Sequence, residues 1–138
     1  MARRRLAGLL ALITLLPACS APVRPEPPSA APPSATVRVP AGGVRLADLG
    51  FRNGPVDAFT LPRGAVVGTR VDEPNGVVVV LSSPSGSEIA DYLRRELPGT
   101  GFTVTADSEA AASLTFTGYG WQGSFTGSGS SSAVVLQP

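Results

Sequence analysis

Residues 37–138 predict an α+β domain: a curved, mostly antiparallel sheet of about five to seven strands with one helix, about residues 86–97, packed on one face. Three observations predict it. A single segment combines helical spacing with a start signal. The remaining apolar residues alternate with polar ones in short runs cut by Gly, Pro and Asn. The connections are short, which makes successive strands antiparallel neighbours.

Taken in order, Val37-Arg38-Val39 reads as a short strand before Pro40-Ala41-Gly42-Gly43, and Val44 to Phe51 has no single period. Asn53-Gly54-Pro55 is a turn, and Ala58 to Leu61 is a brief strand closed by Pro62-Arg63-Gly64. Ala65 to Val71 and Gly76 to Ser83 flank Asp72-Glu73-Pro74-Asn75, which reads as a hairpin with a loop of about four or five residues. The helix follows. Ser85-Gly86-Ser87-Glu88 has capping-box spacing, in which each end residue satisfies a free backbone N–H of the other. Ile89, Leu93 and Leu97 then form one stripe, and Pro98-Gly99 stops it.

After the helix, Phe102 to Thr105 reads as a strand, Asp107 to Ser113 as a loop, and Leu114 to Thr117 and Trp121 to Thr126 as a hairpin around Gly118-Tyr119-Gly120. Gly127 to Ser132 reads as a polar loop before the last strand, Ala133 to Leu136. Val77-Val78-Val79-Val80-Leu81 is apolar at every position, the pattern of a central strand covered on both faces. One helix covers one face, so residues 38–63, strong curling of the sheet or a partner must cover the other, and the segment 38–63 is the expected cover.

Composition narrows the function. The chain has eleven arginines, no lysine and no histidine. Without Arg3, Arg4 and Arg5, eight arginines face ten acidic side chains, a net charge of about −2. Nucleic-acid binding rests on clustered basic charge and is not expected. Histidine-dependent triads and imidazole metal sites are excluded, as is a phosphate loop that needs lysine. The serines have no base to activate them and read as caps and turns. No metal site and no cofactor are expected. Gly118 to Gly123 matches the dinucleotide-binding glycine spacing literally, yet no helix follows to receive a pyrophosphate, so these glycines read as hairpin residues. Asp72 and Glu73, like Asp107 and Glu109, lie in expected turns, and no particular carboxylate pair stands out for hydrolysis.

The N-terminus carries the sharpest signal. Arg3-Arg4-Arg5 precedes an apolar run from Leu6 to Leu16, much shorter than the ~20 residues of a membrane span. Leu16-Pro17-Ala18-Cys19 resembles the lipobox of bacterial lipoproteins, with Pro17 where a small residue is usual. The resemblance implies a signal peptide over 1–18 and a diacylglyceryl thioether on Cys19, the only cysteine. Two or three acyl chains, each buried methylene contributing ~0.8 kcal/mol, anchor a protein stably. The alternative is an ordinary secretory signal cut after Ala18, which leaves a free thiol on Cys19. The triple arginine permits Sec or twin-arginine export. Residues 19–36 hold the acylated Cys and a proline-rich tether, extended at ~3.1 Å per residue.

Aromatic residues supply the remaining lead. Trp121 and Phe125 share one strand face and Tyr119 precedes them, so the three mark either core or a binding surface. Arg94 and Arg95 read as the solvated helix face, paired with Asp91 or Glu88.

The lipobox, the tether, the run Ser83 to Val104 and the run Leu114 to Phe125 together resemble small lipoproteins of actinobacteria that have no established activity. The resemblance implies a location on the outer face of the cytoplasmic membrane, held to the lipid bilayer through Cys19, and it transfers no catalytic residue. The expected function is a non-catalytic binding or structural domain of the cell envelope. Its partner would be an envelope protein, a glycan or an apolar ligand. A carrier or sensor of an apolar ligand in a pocket under the sheet is the alternative, and a carboxylate-based hydrolase is a third reading.

Overall fold

A computed structural model describes residues 37–138. The signal peptide, Cys19 and the tether lie outside the described residues. Two small strands, β1 (Gly43–Arg45) and β2 (Thr60–Pro62), pair with each other. Six longer ones form the main sheet: β3 (Val66–Glu73), β4 (Gly76–Ser83), β5 (Thr103–Ser108), β6 (Ser113–Gly118), β7 (Trp121–Ser128) and β8 (Ser131–Gln137). Their order is β3-β4-β8-β7-β6-β5, and every pairing is antiparallel. The α+β class with one helix on one face is as expected.

The helix α1 (Gly86–Glu96) connects β4 to β5, the far edge of the sheet, and β5 to β8 then return strand by strand until β8 closes against β4. Its start is the capping box that the sequence predicts: the Glu88 N–H donates to the Ser85 hydroxyl at 3.4 Å and the Ser85 N–H donates to the Glu88 carboxylate at 3.1 Å. Ile89, Ala90, Leu93 and Leu97 are buried. Helix and sheet backbones approach closely where Gly86 meets Gly127; a Cβ on Gly86 would stand 2.7 Å from the Gly127 Cα.

Several expected boundaries shift. Val37 to Val39 is not a strand; β1 begins at Gly43. Both long hairpins are tighter than expected, because β3 continues through Asp72 and Glu73, leaving Pro74-Asn75, and β7 and β8 continue to Ser128 and Ser131, leaving Gly129-Ser130. Likewise β5 runs through Asp107. The polar composition of 127–132 concealed strand because its core-facing positions, Gly127 and Ser132, lie under the helix start where only small residues fit. The β6–β7 hairpin turns on Tyr119-Gly120, both with positive φ (55° and 76°), as a two-residue primed turn requires. Thus the literal glycine spacing of 118–123 serves a hairpin.

The expectation for the second face is overturned. Leu46, Phe51, Phe59 and Leu61 are buried in one core with Ile89, Leu93, Val77, Val79, Phe116 and Leu136, on the same side of the sheet as the helix. Residues 43–62 therefore complete the layer that the helix begins. Phe59, Phe102 and Phe116 form its aromatic centre, with ring centroids 5.5–5.9 Å apart. Among the described residues no second layer covers the opposite face, and Val78, Val80 and Val135 on it are half-buried.

Candidate functional site

The three aromatic candidates do not form one surface. Phe125 is fully buried beneath the helix layer, because its position in β7 faces the core with Leu114 and Val134 on either side. Trp121 shares that side and is half-buried against the core, close to Gly54. Tyr119 is 51% exposed at the hairpin tip, yet its hydroxyl donates to the Thr100 carbonyl at 2.6 Å and its ring packs edge-on against Phe102. Each has a structural partner, and the platform of Tyr119, Trp121 and Phe125 is withdrawn.

Several charged groups hold the covered layer together. Asp72, on the core side of edge strand β3, accepts from the Arg52 and Asn53 N–H groups at 2.8 and 3.0 Å and from the Asn53 amide at 3.0 Å. Burial opposes its charge, but these hydrogen bonds outweigh that cost and hold the carboxyl below its usual range. Two residues back, Arg70 donates to the Leu49 carbonyl at 2.7 Å and stacks over Phe51 at 4.1 Å. Together they pin residues 49–53 to the sheet.

Arg94 does the same for the helix. It binds Asp91 in its own turn and, across the gap, Asp107 on β5 at 2.8 Å. The expected pairing with Asp91 is present; Glu88 instead completes the capping box. Where acidic side chains converge they share an arginine: Asp91 and Asp107 around Arg94, Asp48 and Asp57 around Arg45. Among the described residues no group of three or more His, Cys, Asp or Glu is placed to hold a metal.

The open face has a different chemistry. Strand register sets its side chains in rows across the sheet. One row is Thr103, Thr117, Gln122 and Gln137; the next is Ala106, Thr115, Ser124, Val135, Val78 and Val71; a third runs Ser108, Ser113, Thr126, Ala133, Val80 and Thr69. None of these side chains is ionisable. Glu73, at the tip of β3, is the one charged residue among the described strand positions that share this face.

On the β5–β8 half the face has a groove of about 440 Å3, lined by Thr105, Thr115, Thr117, Gln122, Ser124, Val135 and Gln137 together with Phe116 and Gly123. Thr105 and Thr115 hydroxyls are hydrogen-bonded at 2.8 Å. The volume falls within the ~300–1,000 Å3 of small-molecule sites. Hydroxyls and amides line it beside Val135, Phe116 and Gly123, so it suits a ligand that exchanges hydrogen bonds and also offers apolar surface; a pure hydrocarbon would leave the polar groups unpaired.

In the sequence these residues are overshadowed by the apolar half of each alternating strand, which marks the core face. The signal was present in the other half of the alternation: Thr115, Thr117, Gln122, Ser124 and Thr126 are all uncharged hydrogen-bonding residues.

Comparison with protein-family models, with curated proteins and with solved structures finds no match to this chain.

Proposed function

We propose that this chain is a lipid-anchored protein of the bacterial cell envelope whose domain is a non-catalytic binding module. The anchor reading is supported by Leu16-Pro17-Ala18-Cys19 at the end of a short apolar run, by the single cysteine and by the proline-rich stretch after it. Acylated at Cys19, the chain sits on the outer face of the cytoplasmic membrane with residues 37–138 facing away from the cell.

The observation that carries the binding reading is the open sheet face, six strands wide and uncharged except at Glu73, with a groove in it. A solvated sheet face commonly carries ionic side chains, and here the charged residues of the six strands other than Glu73, namely Arg70, Asp72 and Asp107, stand on the opposite side. In addition, the acidic residues that meet in pairs are neutralised by arginine, which suits ion pairing and not general acid–base work.

Mass spectrometry of the processed N-terminus tests the anchor. A first peptide beginning at diacylglyceryl-Cys19 is expected, and Cys19→Ala should move the protein out of the membrane fraction. An unmodified Cys19 in membrane fractions would overturn the reading.

A further inference from the structure

We infer that the groove on the open face takes a neutral polyhydroxylated ligand, a segment of an uncharged glycan chain; this deepens the binding-module reading and is independent of the Cys19 anchor. Charge selects first. With no ionisable side chain among Thr115, Thr117, Gln122, Ser124, Val135 and Gln137, the groove offers no counter-charge to a phosphate, a carboxylate or a basic peptide. Desolvating such a group without a partner is costly.

Hydrogen bonding selects next. Hydroxyls donate and accept, and the Gln122 and Gln137 amides, which are register partners, present both functions side by side. A sugar ring has the same dual character, whereas a lipid chain has none of it. Shape and polarity then meet the other half of a sugar. Val135, Val78 and Val71 continue the row of Thr115 and Ser124 outward, so apolar ring C–H groups find an apolar strip beside the hydrogen-bonding one.

Two competing occupants fit less well. A second copy laid face to face would set two grooves against each other and leave a void, where stable interfaces pack to interior density. A peptide added as a strand needs free backbone groups, which the sheet edges have and a sheet face lacks. Those edges, β3 and β5, are bulged at Val66–Thr69 and Val104–Ala106, a feature that discourages strand addition.

Affinity electrophoresis of the detergent-solubilised full chain tests the inference, in gels containing dextran, mannan, neutral galactan or, as the anionic control, polygalacturonate. Retardation by at least one neutral polymer and none by polygalacturonate is expected. Ser124→Glu, a charge in the middle of the groove, should weaken retention roughly ten-fold or more with an unchanged melting curve. Arg95→Gln, on the exposed helix face, should leave it unchanged. Retention by none of the three neutral polymers overturns the inference, as does full retention of Ser124→Glu. So does a wild-type dimer, seen by sedimentation, that Ser124→Glu splits, since a second copy then occupies the face. Acylated Cys19 with no retention removes the glycan inference alone; retention with unmodified Cys19 removes the anchor alone.

Discussion

The two faces of the six-stranded sheet are built from the same strands by opposite rules. On the covered face, β6, β7 and β8 contribute Leu114, Phe116, Phe125, Val134 and Leu136, all essentially inaccessible to water. One residue along each strand, on the other face, stand Thr115, Thr117, Ser124, Val135 and Gln137. The covered face is held by burial, with ion pairs and Asp72 fastening its margins. On the open face the strand side chains form no ion pair among the described residues, and Glu73 is the one charged group on it. The difference teaches that Asp72, Arg70 and Arg94 are placed to join the covered layer to the sheet, while the other face is left nearly free of charge.

The comparison is broken most severely from the covered side. Phe116→Ala removes a ring that stacks on Phe59 and meets Phe102, and it should cost about 3–5 kcal/mol in urea unfolding. A loss under about 1 kcal/mol would mean that the aromatic centre does not carry the fold. Next comes the helix–sheet contact. Gly86→Ala places a methyl against the Gly127 backbone, and the helix must shift; about 1–3 kcal/mol is expected, read from the same unfolding curves.

Asp72→Asn tests the fastening of residues 49–53. It keeps the shape and removes the charge that accepts from Arg52 and Asn53, for an expected cost of about 1–2 kcal/mol at neutral pH. Because the folded carboxyl titrates below its unfolded value, its contribution is full above about pH 4 and is lost as pH falls through the folded pKa. Wild type and Asp72→Asn should therefore differ at pH 7 and converge in strong acid. A difference that stays constant down to acid unfolding would assign the effect to packing.

The smallest stability effect belongs to the open face. Thr115→Val and Ser124→Ala should change stability by less than about 0.5 kcal/mol, since neither side chain is buried in the core. A large loss from either would show that the open face supports the fold, and would take away its availability to a ligand.

Much of this architecture was legible in the order of residues. Ser85 to Glu88 announced the helix start because capping is local: donor and acceptor are three residues apart. The alternation of Leu114-Thr115-Phe116-Thr117 announced a half-buried strand, since side chains on a strand point to opposite faces. Less legible were the ends of hairpins. Asp72 resembles a turn residue until Asn53, nineteen positions away, is seen to bind it within the ladder. The groove residues carried only a faint mark, the lack of charge in their half of the alternation, because threonine, serine and glutamine are ordinary on any solvated strand.

By itself the sequence determined the class of fold, the one helix and its limits, the antiparallel connections and the residue types available for chemistry, all properties set by local spacing and composition. Only the tertiary structure decided which side of the sheet residues 43–62 would cover. Local pattern makes a segment apolar without saying which apolar surface receives it. That choice is made by long-range contacts, Leu46, Phe59 and Leu61 against Ile89 and Leu93, with Asp72 and Arg70 holding the loop in place. Once it is made, no other described segment remains to cover the second face.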